Sequence, residues 1–187
     1  MLSISARYAN SLFQKAKEEN QIDKVLEDLK NFLVLLEKNK QLLELWNSLS
    51  ISSTDKEEII IKRVDFSNIT KNFLKLLLYK KRQKLLPKIY YYYKSLYNKH
   101  NNIIEVEISI AFEIDKTELE KLIRIIEENL GLKIKIKNIK IDPEIIGGAM
   151  IISDNIILDL SIKKDLDRLL RNFEETVNNK LSGLKMI

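Results

Sequence analysis

The stretch Ile139–Ser161, IKIDPEIIGGAMIISDNIILDLS, holds half of the chain's proline and glycine punctuation. It contains one of the 2 prolines and, at Gly147 and Gly148, half of the 4 glycines. Pro143 fixes its own φ and pushes Asp142 toward extended backbone. The glycine pair admits a sharp or left-handed path and a close approach by a neighbouring element. Ala149–Ile152 and Ile156–Leu158 are short β-prone runs around Ser153-Asp154-Asn155, which reads as a hairpin turn. Ser161 stands where an N-cap would begin the last helix. Connector, hairpin and helix start therefore follow one another directly.

Upstream of this stretch, at Asn101-Asn102, the apolar period changes from helical to alternating. Ile104, Val106, Ile108, Ile110 and Phe112 line one face of a strand, and Glu105, Glu107 and Ser109 the other. Asp115 and Glu118 start a helix that runs to Leu130, with Leu119, Leu122, Ile123, Ile126 and Leu130 inward and Gly131 at its end. The next strand presents Leu132, Ile134 and Ile136, and its alternation then slips one place to Ile139 and Ile141. That slip predicts a bulge or turn near Lys137-Asn138. Ile162–Lys180 closes the chain as a helix through Leu166, Leu169, Leu170, Phe173 and Val177. Residues 101–187 thus read β-α-β-β-β-α, a small α+β unit.

Residues 1–100 read as six helices. Ser3–Glu19 carries Ala6, Ala9, Leu12, Phe13 and Ala16 on one face, and its alanines suit a close helix neighbour. Ile22–Lys38 has Val25, Leu26, Leu29, Phe32, Leu33 and Leu36 on one stripe, and Asn39–Asn47 carries Leu42, Leu43 and Trp46. Thr54-Asp55-Lys56-Glu57 has the capping-box pattern of a fourth helix. The fifth, Asn68–Lys81, is apolar almost all round at Phe73, Leu74, Leu76, Leu77, Leu78 and Tyr79. Such a helix lies centrally or leaves one side for a partner. The sixth starts near Lys84 with Pro87 in its first turn; Leu86, Ile89, Tyr93, Leu96 and Tyr97 face the bundle while Tyr90 and Tyr91 point elsewhere. The whole is α+β: a six-helix bundle followed by the smaller unit.

Bulk properties narrow the classes. At 187 residues and 22.0 kDa the chain suits one domain or two small ones. No apolar run approaches the roughly 18 residues of a bilayer span, and MLSISARYANSLF lacks a signal-peptide pattern. The absence of cysteine removes disulfides, thiolate metal sites and cysteine nucleophiles. Residues 1–100 carry 19 Lys and Arg against 11 Asp and Glu, a net +8, whereas residues 101–187 carry 13 against 16, a net −3. Two halves of opposite sign suit two different partners.

Little here suggests chemistry. Neither GxxxxGK[ST] nor GxGxxG occurs, so Gly147-Gly148 reads as backbone tightness. His100 is the only histidine and sits at a helix end, where a cation offsets the dipole. Asp142 and Asp159 are placed to accept bonds from nearby backbone N–H groups. Lys80, Lys81, Arg82, Lys84 and Lys88 beside Tyr90–Tyr93 admit two readings. One is an RNA-associated surface of phosphate contacts and stacking; the other is a cation-rich helix end with tyrosines in a bundle seam. No enzyme, cofactor or metal site is expected.

Several segments together resemble the δ subunit of F-type ATP synthase, whose mitochondrial counterpart is the oligomycin-sensitivity-conferring protein. They are Arg7-Tyr8-Ala9-x-x-Leu12-Phe13, Asn72-Phe73-Leu74-x-Leu76-Leu77, Arg82-x-x-Leu85-Leu86-Pro87-x-Ile89, and Tyr97-Asn98 with Ile104-Glu105-Val106. The most specific is Ile141-Asp142-Pro143-x-Ile145-Ile146-Gly147-Gly148, with Asp159-x-Ser161-Ile162 downstream. The resemblance implies a non-catalytic stator subunit joining the catalytic head to the peripheral stalk. It implies that residues 1–100 receive the N-terminal helix of an α subunit between the first and fifth helices, at Tyr8, Ser11, Leu12, Phe73, Leu76 and Leu77. It further implies that residues 101–187 engage the b subunits of the stalk near Gly147, Gly148, Leu166, Leu169 and Phe173. Ser11 stands where the family usually has alanine, and Ser153 where it often has glycine. The expected location is the cytoplasmic face of a bacterial inner membrane, or the stromal face of a plastid thylakoid, held there through partners. The alternative function is the basic, helical RNA-associated factor.

Overall fold

The computed structural model describes residues 3–153 and 157–184, with side chains as far as Phe173. Two compact units divide at Asn101/Asn102. The first contains α1 (Ile4–Glu18), α2 (Ile22–Lys38), α3 (Lys40–Asn47), α4 (Ser53–Ile59), α5 (Asn68–Tyr79) and α6 (Leu86–His100). The second contains β1 (Ile103–Ile110), α7 (Lys116–Leu130), β2 (Lys133–Ile141), β3 (Gly148–Ile152), β4 (Ile157–Ser161) and α8 (Ile162–Leu184).

In the first unit, α1 runs along α6, its closest neighbour. Ala9 and Ala16 are fully buried on that helix, and Ala6 nearly so. Phe13 meets Tyr93 edge to face at 5.4 Å, and the Tyr93 hydroxyl donates to the Ile22 carbonyl at 3.1 Å. One helical turn on, the Tyr97 hydroxyl donates to Asp23 Oδ1 at 2.7 Å. Two α6 tyrosines thereby hold the start of α2. Phe32 of α2 packs on Trp46 of α3 at 5.0 Å and on Phe66 at 6.0 Å. Buried Asp28 accepts from the Ser67 backbone N–H at 2.8 Å, and Ser67 caps α5, so α5 starts at a point fixed by α2.

Polar groups decide details that hydrophobic period leaves open. The cap of α4 is Ser52, whose hydroxyl oxygen accepts from Asp55 N–H at 3.1 Å, rather than Thr54. The Ser53 hydroxyl donates to Leu78 O at 3.1 Å, which draws α4 onto the end of α5. Lys56 is buried, and its ammonium donates to the carbonyl of Trp46 at 3.0 Å and to that of Ser48, closing the C-terminus of α3. Burial lowers its pKa. Helix α5 stops at Tyr79, two residues short of the expected Lys81, because Lys81 turns left-handed at φ 54°. Arg82 N–H bonds to Leu77 O and Lys81 N–H to Leu78 O, the paired bonds of a Schellman ending. Tyr90 is half-buried against the core rather than pointing away, whereas Tyr91 is exposed.

In the second unit the sheet order is β2-β1-β3-β4. Helix α7 carries the chain from β1 to a parallel β2, and β3 and β4 pair antiparallel. Val106, Ile108 and Ile110 join Ala149 and Ile151 against Ile126 of α7. The bulge expected near Lys137-Asn138 is present: Val106 pairs with Ile136, but Glu107 pairs with Asn138. The extra residue keeps Ile139 and Ile141 opposite Ile108 and Ile110, on the apolar face. Strand β1 ends at Ile110, so Phe112 lies beyond the ladder and is 62% exposed instead of extending the apolar row. Leu130 is also exposed rather than inward. Gly131 ends α7 at φ 64°. The pairing of Ile152 with Ile157 agrees with the expected hairpin, although Asp154 and Asn155 of its turn lie outside the described residues. Ser161 caps α8 through its hydroxyl, which accepts from Lys164 N–H at 3.2 Å.

Gly147 and Gly148 owe their identity to this crowding. A Cβ on Gly147 would stand 2.5 Å from Ile162 Cδ1, and one on Gly148 would land on the backbone carbonyl of Leu160. Gly148 is also left-handed at φ 79°. Two residues earlier Ile146, β-branched and exposed, sits at φ 68°, its N–H donating to Pro143 O at 3.0 Å. Gly148→Ala should therefore lower stability by about 2 kcal/mol or more, while Ile146→Gly should raise it by up to about 1 kcal/mol. Urea unfolding followed by circular dichroism would measure both changes.

Candidate functional site

A cleft of about 740 Å³ lies between α1 and α5 in the first unit. Helix α1 contributes Ile4, Arg7, Tyr8, Ser11, Leu12 and Lys15, at steps of three and four residues. Helix α5 contributes Ile69, Asn72, Phe73 and Leu76 with the same spacing. Over Ile4–Glu19 the α1 wall is roughly 22 Å long at 1.5 Å per residue. Tyr8 and Phe73 meet edge to face across the floor at 6.2 Å. Arg82 borders the cleft; its Nη1 donates to the Tyr8 hydroxyl at 2.8 Å and its guanidinium lies 5.5 Å from the Tyr8 ring centroid.

Of the six positions expected to meet a partner helix, five line this cleft: Tyr8, Ser11, Leu12, Phe73 and Leu76. Leu77 does not. It is 0% exposed and belongs to the core, because one helical step from Leu76 rotates a side chain about 100°. Leu76 itself is 41% exposed. Residue-level expectation missed Ile4, Arg7, Lys15, Asn72 and Arg82 as wall residues. Arg7, Asn72 and Arg82 stood inside the quoted motifs, and helical spacing from Tyr8 and Leu76 was the signal that could have found Ile4, Lys15 and Asn72.

The family model for the ATP synthase delta (OSCP) subunit matches residues 4–173. The chain belongs to the ATP synthase delta (OSCP) subunit family. Among its curated relatives, "ATP synthase subunit delta" of Rickettsia bellii is 36% identical over 169 residues, covering 89% of each chain. That of Desulforudis audaxviator is 31% identical over 176 residues, covering 93% of this chain and 96% of the relative. A chain of the Toxoplasma gondii mitochondrial ATP synthase hexamer shares the fold at a TM-score of 0.64 and 21% identity, covering 92% of this chain and 98% of its own. A chain from the F1 head and rotor of the Polytomella F-ATP synthase aligns over 54% of this chain and 90% of its own, with 27% identity and a TM-score of 0.50.

In this δ-family chain the basic cluster is divided among separate surroundings. Arg82 borders the α1–α5 cleft, Lys84 and Tyr90 line a second hollow of about 520 Å³, Tyr93 is in the core, and Lys80 lies 5.6 Å from the Tyr79 ring. Tyr91 and Tyr92 stay exposed and meet edge to face at 5.9 Å. His100 packs edge to face on Phe13 at 5.7 Å. Asp142 accepts from Glu144 N–H at 3.2 Å and Asp159 from Ser161 N–H at 3.0 Å, as their placement suggested. The Ser161 hydroxyl and then its backbone N–H hold Asp159 below the usual carboxylate range.

The second-unit positions separate by role. Gly147 and Gly148 shape the approach to Leu160 and Ile162, while Leu166, Leu169, Leu170 and Phe173 lie along α8 with their side chains exposed. The side chain of Val177 lies outside the described residues. No helix among the described residues is long and apolar enough to cross a membrane. The Leu76/Leu77 distinction is directly measurable. Leu77→Ala should cost about 2–5 kcal/mol of stability through its cavity, and Leu76→Ala less than about 1 kcal/mol. Comparable losses in thermal unfolding would contradict the orientation of α5.

Proposed function

We propose that the α1–α5 cleft holds the amphipathic N-terminal helix of an ATP synthase α subunit, and that the second unit holds the b subunits of the peripheral stalk. The chain is a stator subunit of F-type ATP synthase in this reading, a structural component whose work is to resist rotor torque. Its six helices over residues 1–100 form the bundle that grips the head, and residues 101–187 form the small α+β module that grips the stalk. Exposed Leu76 in an otherwise apolar cleft carries the first half of the reading. A helix of about 15 residues fits the cleft's length and would bury that surface. The exposed row Leu166, Leu169, Leu170 and Phe173 on α8 supports the second half, since an uncovered apolar helix face is a binding surface. Attachment through both partners would hold the subunit peripherally at the cytoplasmic face of a bacterial inner membrane.

Titration of the full-length chain with a peptide from the N-terminus of the accompanying α subunit tests the first half. Binding should persist at high salt at the level the apolar wall supplies, and weaken about a hundredfold or more in Leu76→Asp, which places a carboxylate against an apolar floor. Salt-steep binding of RNA with no binding of the peptide would instead favour the nucleic-acid reading.

A further inference from the structure

The apolar cleft is bordered by three cations and one anion, and their pairing is uneven. Lys15 is already neutralised: its ammonium lies 2.8 Å from Glu19 Oε1 and 3.7 Å from Glu18 Oε2. Lys75, on the same helix as Leu76, is likewise paired with Glu57 at 2.7 Å. Arg7 and Arg82 have no carboxylate partner among the described residues. Of the five donors on the Arg82 guanidinium, one meets the Tyr8 phenol and the rest remain available. The Schellman ending of α5 and the Tyr8 ring hold this planar fork beside the apolar floor before any ligand arrives. A pre-oriented guanidinium loses less freedom on pairing than a free lysine would, and its fork matches a carboxylate in two bonds.

Resting on the reading of the cleft as a helix-receiving site, we propose that Arg82 and Arg7 select a partner helix bearing carboxylates along the border of its apolar stripe. Arg82 is the principal specificity residue. The apolar wall supplies affinity common to any amphipathic helix, and the two arginines discriminate acidic-edged helices from neutral or basic ones. Charge at the cleft's rim also speeds encounter, so the association rate falls with salt even where the bound state tolerates it.

The probe is the N-terminal peptide of the accompanying α subunit, compared with the same peptide carrying Asn for Asp and Gln for Glu. Both are titrated against the full-length chain at low and high salt. The native peptide should bind about ten- to a hundredfold more tightly at low salt, with the gap narrowing as salt rises. In Arg7→Gln/Arg82→Gln the two peptides should bind alike, and thermal unfolding of that variant checks that the cleft still forms. Equal binding of both peptides to the unaltered chain would overturn carboxylate selection while leaving the cleft as a helix site. A gap that persists in the double variant would overturn the assignment to these arginines. Failure of both peptides to bind would overturn both readings together.

Discussion

Helix α5 has more apolar surface than one orientation can hide. Thr70, Leu74, Leu77 and Leu78 are fully or almost fully buried, and Ile69 and Phe73 nearly so, which fixes the rotation of the helix about its axis. Turning it to cover Leu76 would bring Leu77 out, exchanging a packed leucine for an unpacked one at a cost of a few kcal/mol. The cleft beside α1 is the remainder of that constraint. Ser67, capped onto Asp28 at one end, and the Ser53 bond to Leu78 at the other leave the helix little room to adjust. The open surface of the cleft thus follows from how tightly the opposite side is held.

The two units solve different problems with different means. The first is positively charged and presents a long concave surface, whereas the second is negatively charged and presents a convex apolar row on α8. Surfaces so unlike in charge and shape cannot be mistaken for one another, which suits the two-partner reading proposed above. In the second unit a four-stranded sheet, closed on one side by α7, depends on Gly147 and Gly148 to bring β4 and the start of α8 against β3. The glycines define the framework on which that row stands.

Much of this could be read from the chain because the strongest signals are periodic. The bounds of α2 follow directly from its stripe, and the slip after Ile136 located the bulge to one residue. What escaped notice was settled by groups distant in sequence. Three consecutive hydroxyl residues, Ser52, Ser53 and Thr54, could each cap α4, and only the Leu78 carbonyl explains why Ser53 is otherwise engaged. The left-handed Lys81 lacks the glycine that usually marks such a turn. Lys56 looks like a solvated helix charge until the carbonyls of Trp46 and Ser48 appear around it. Leu76 and Leu77 are adjacent leucines in one motif, and their opposite fates depend on where α1, α2 and α4 lie.

The alanine seam between α1 and α6 has a mechanical meaning. Ala9 and Ala16 carry no side-chain rotamers, so the contact they make contains no soft torsions to absorb a lateral pull. In the stator role proposed above, a load on the α1 wall would pass through this seam to α6, which ends at His100, one residue before the end of the first unit. Small residues there act as a stiff splice. The route from the α1 wall to the end of the first unit is short and has little give.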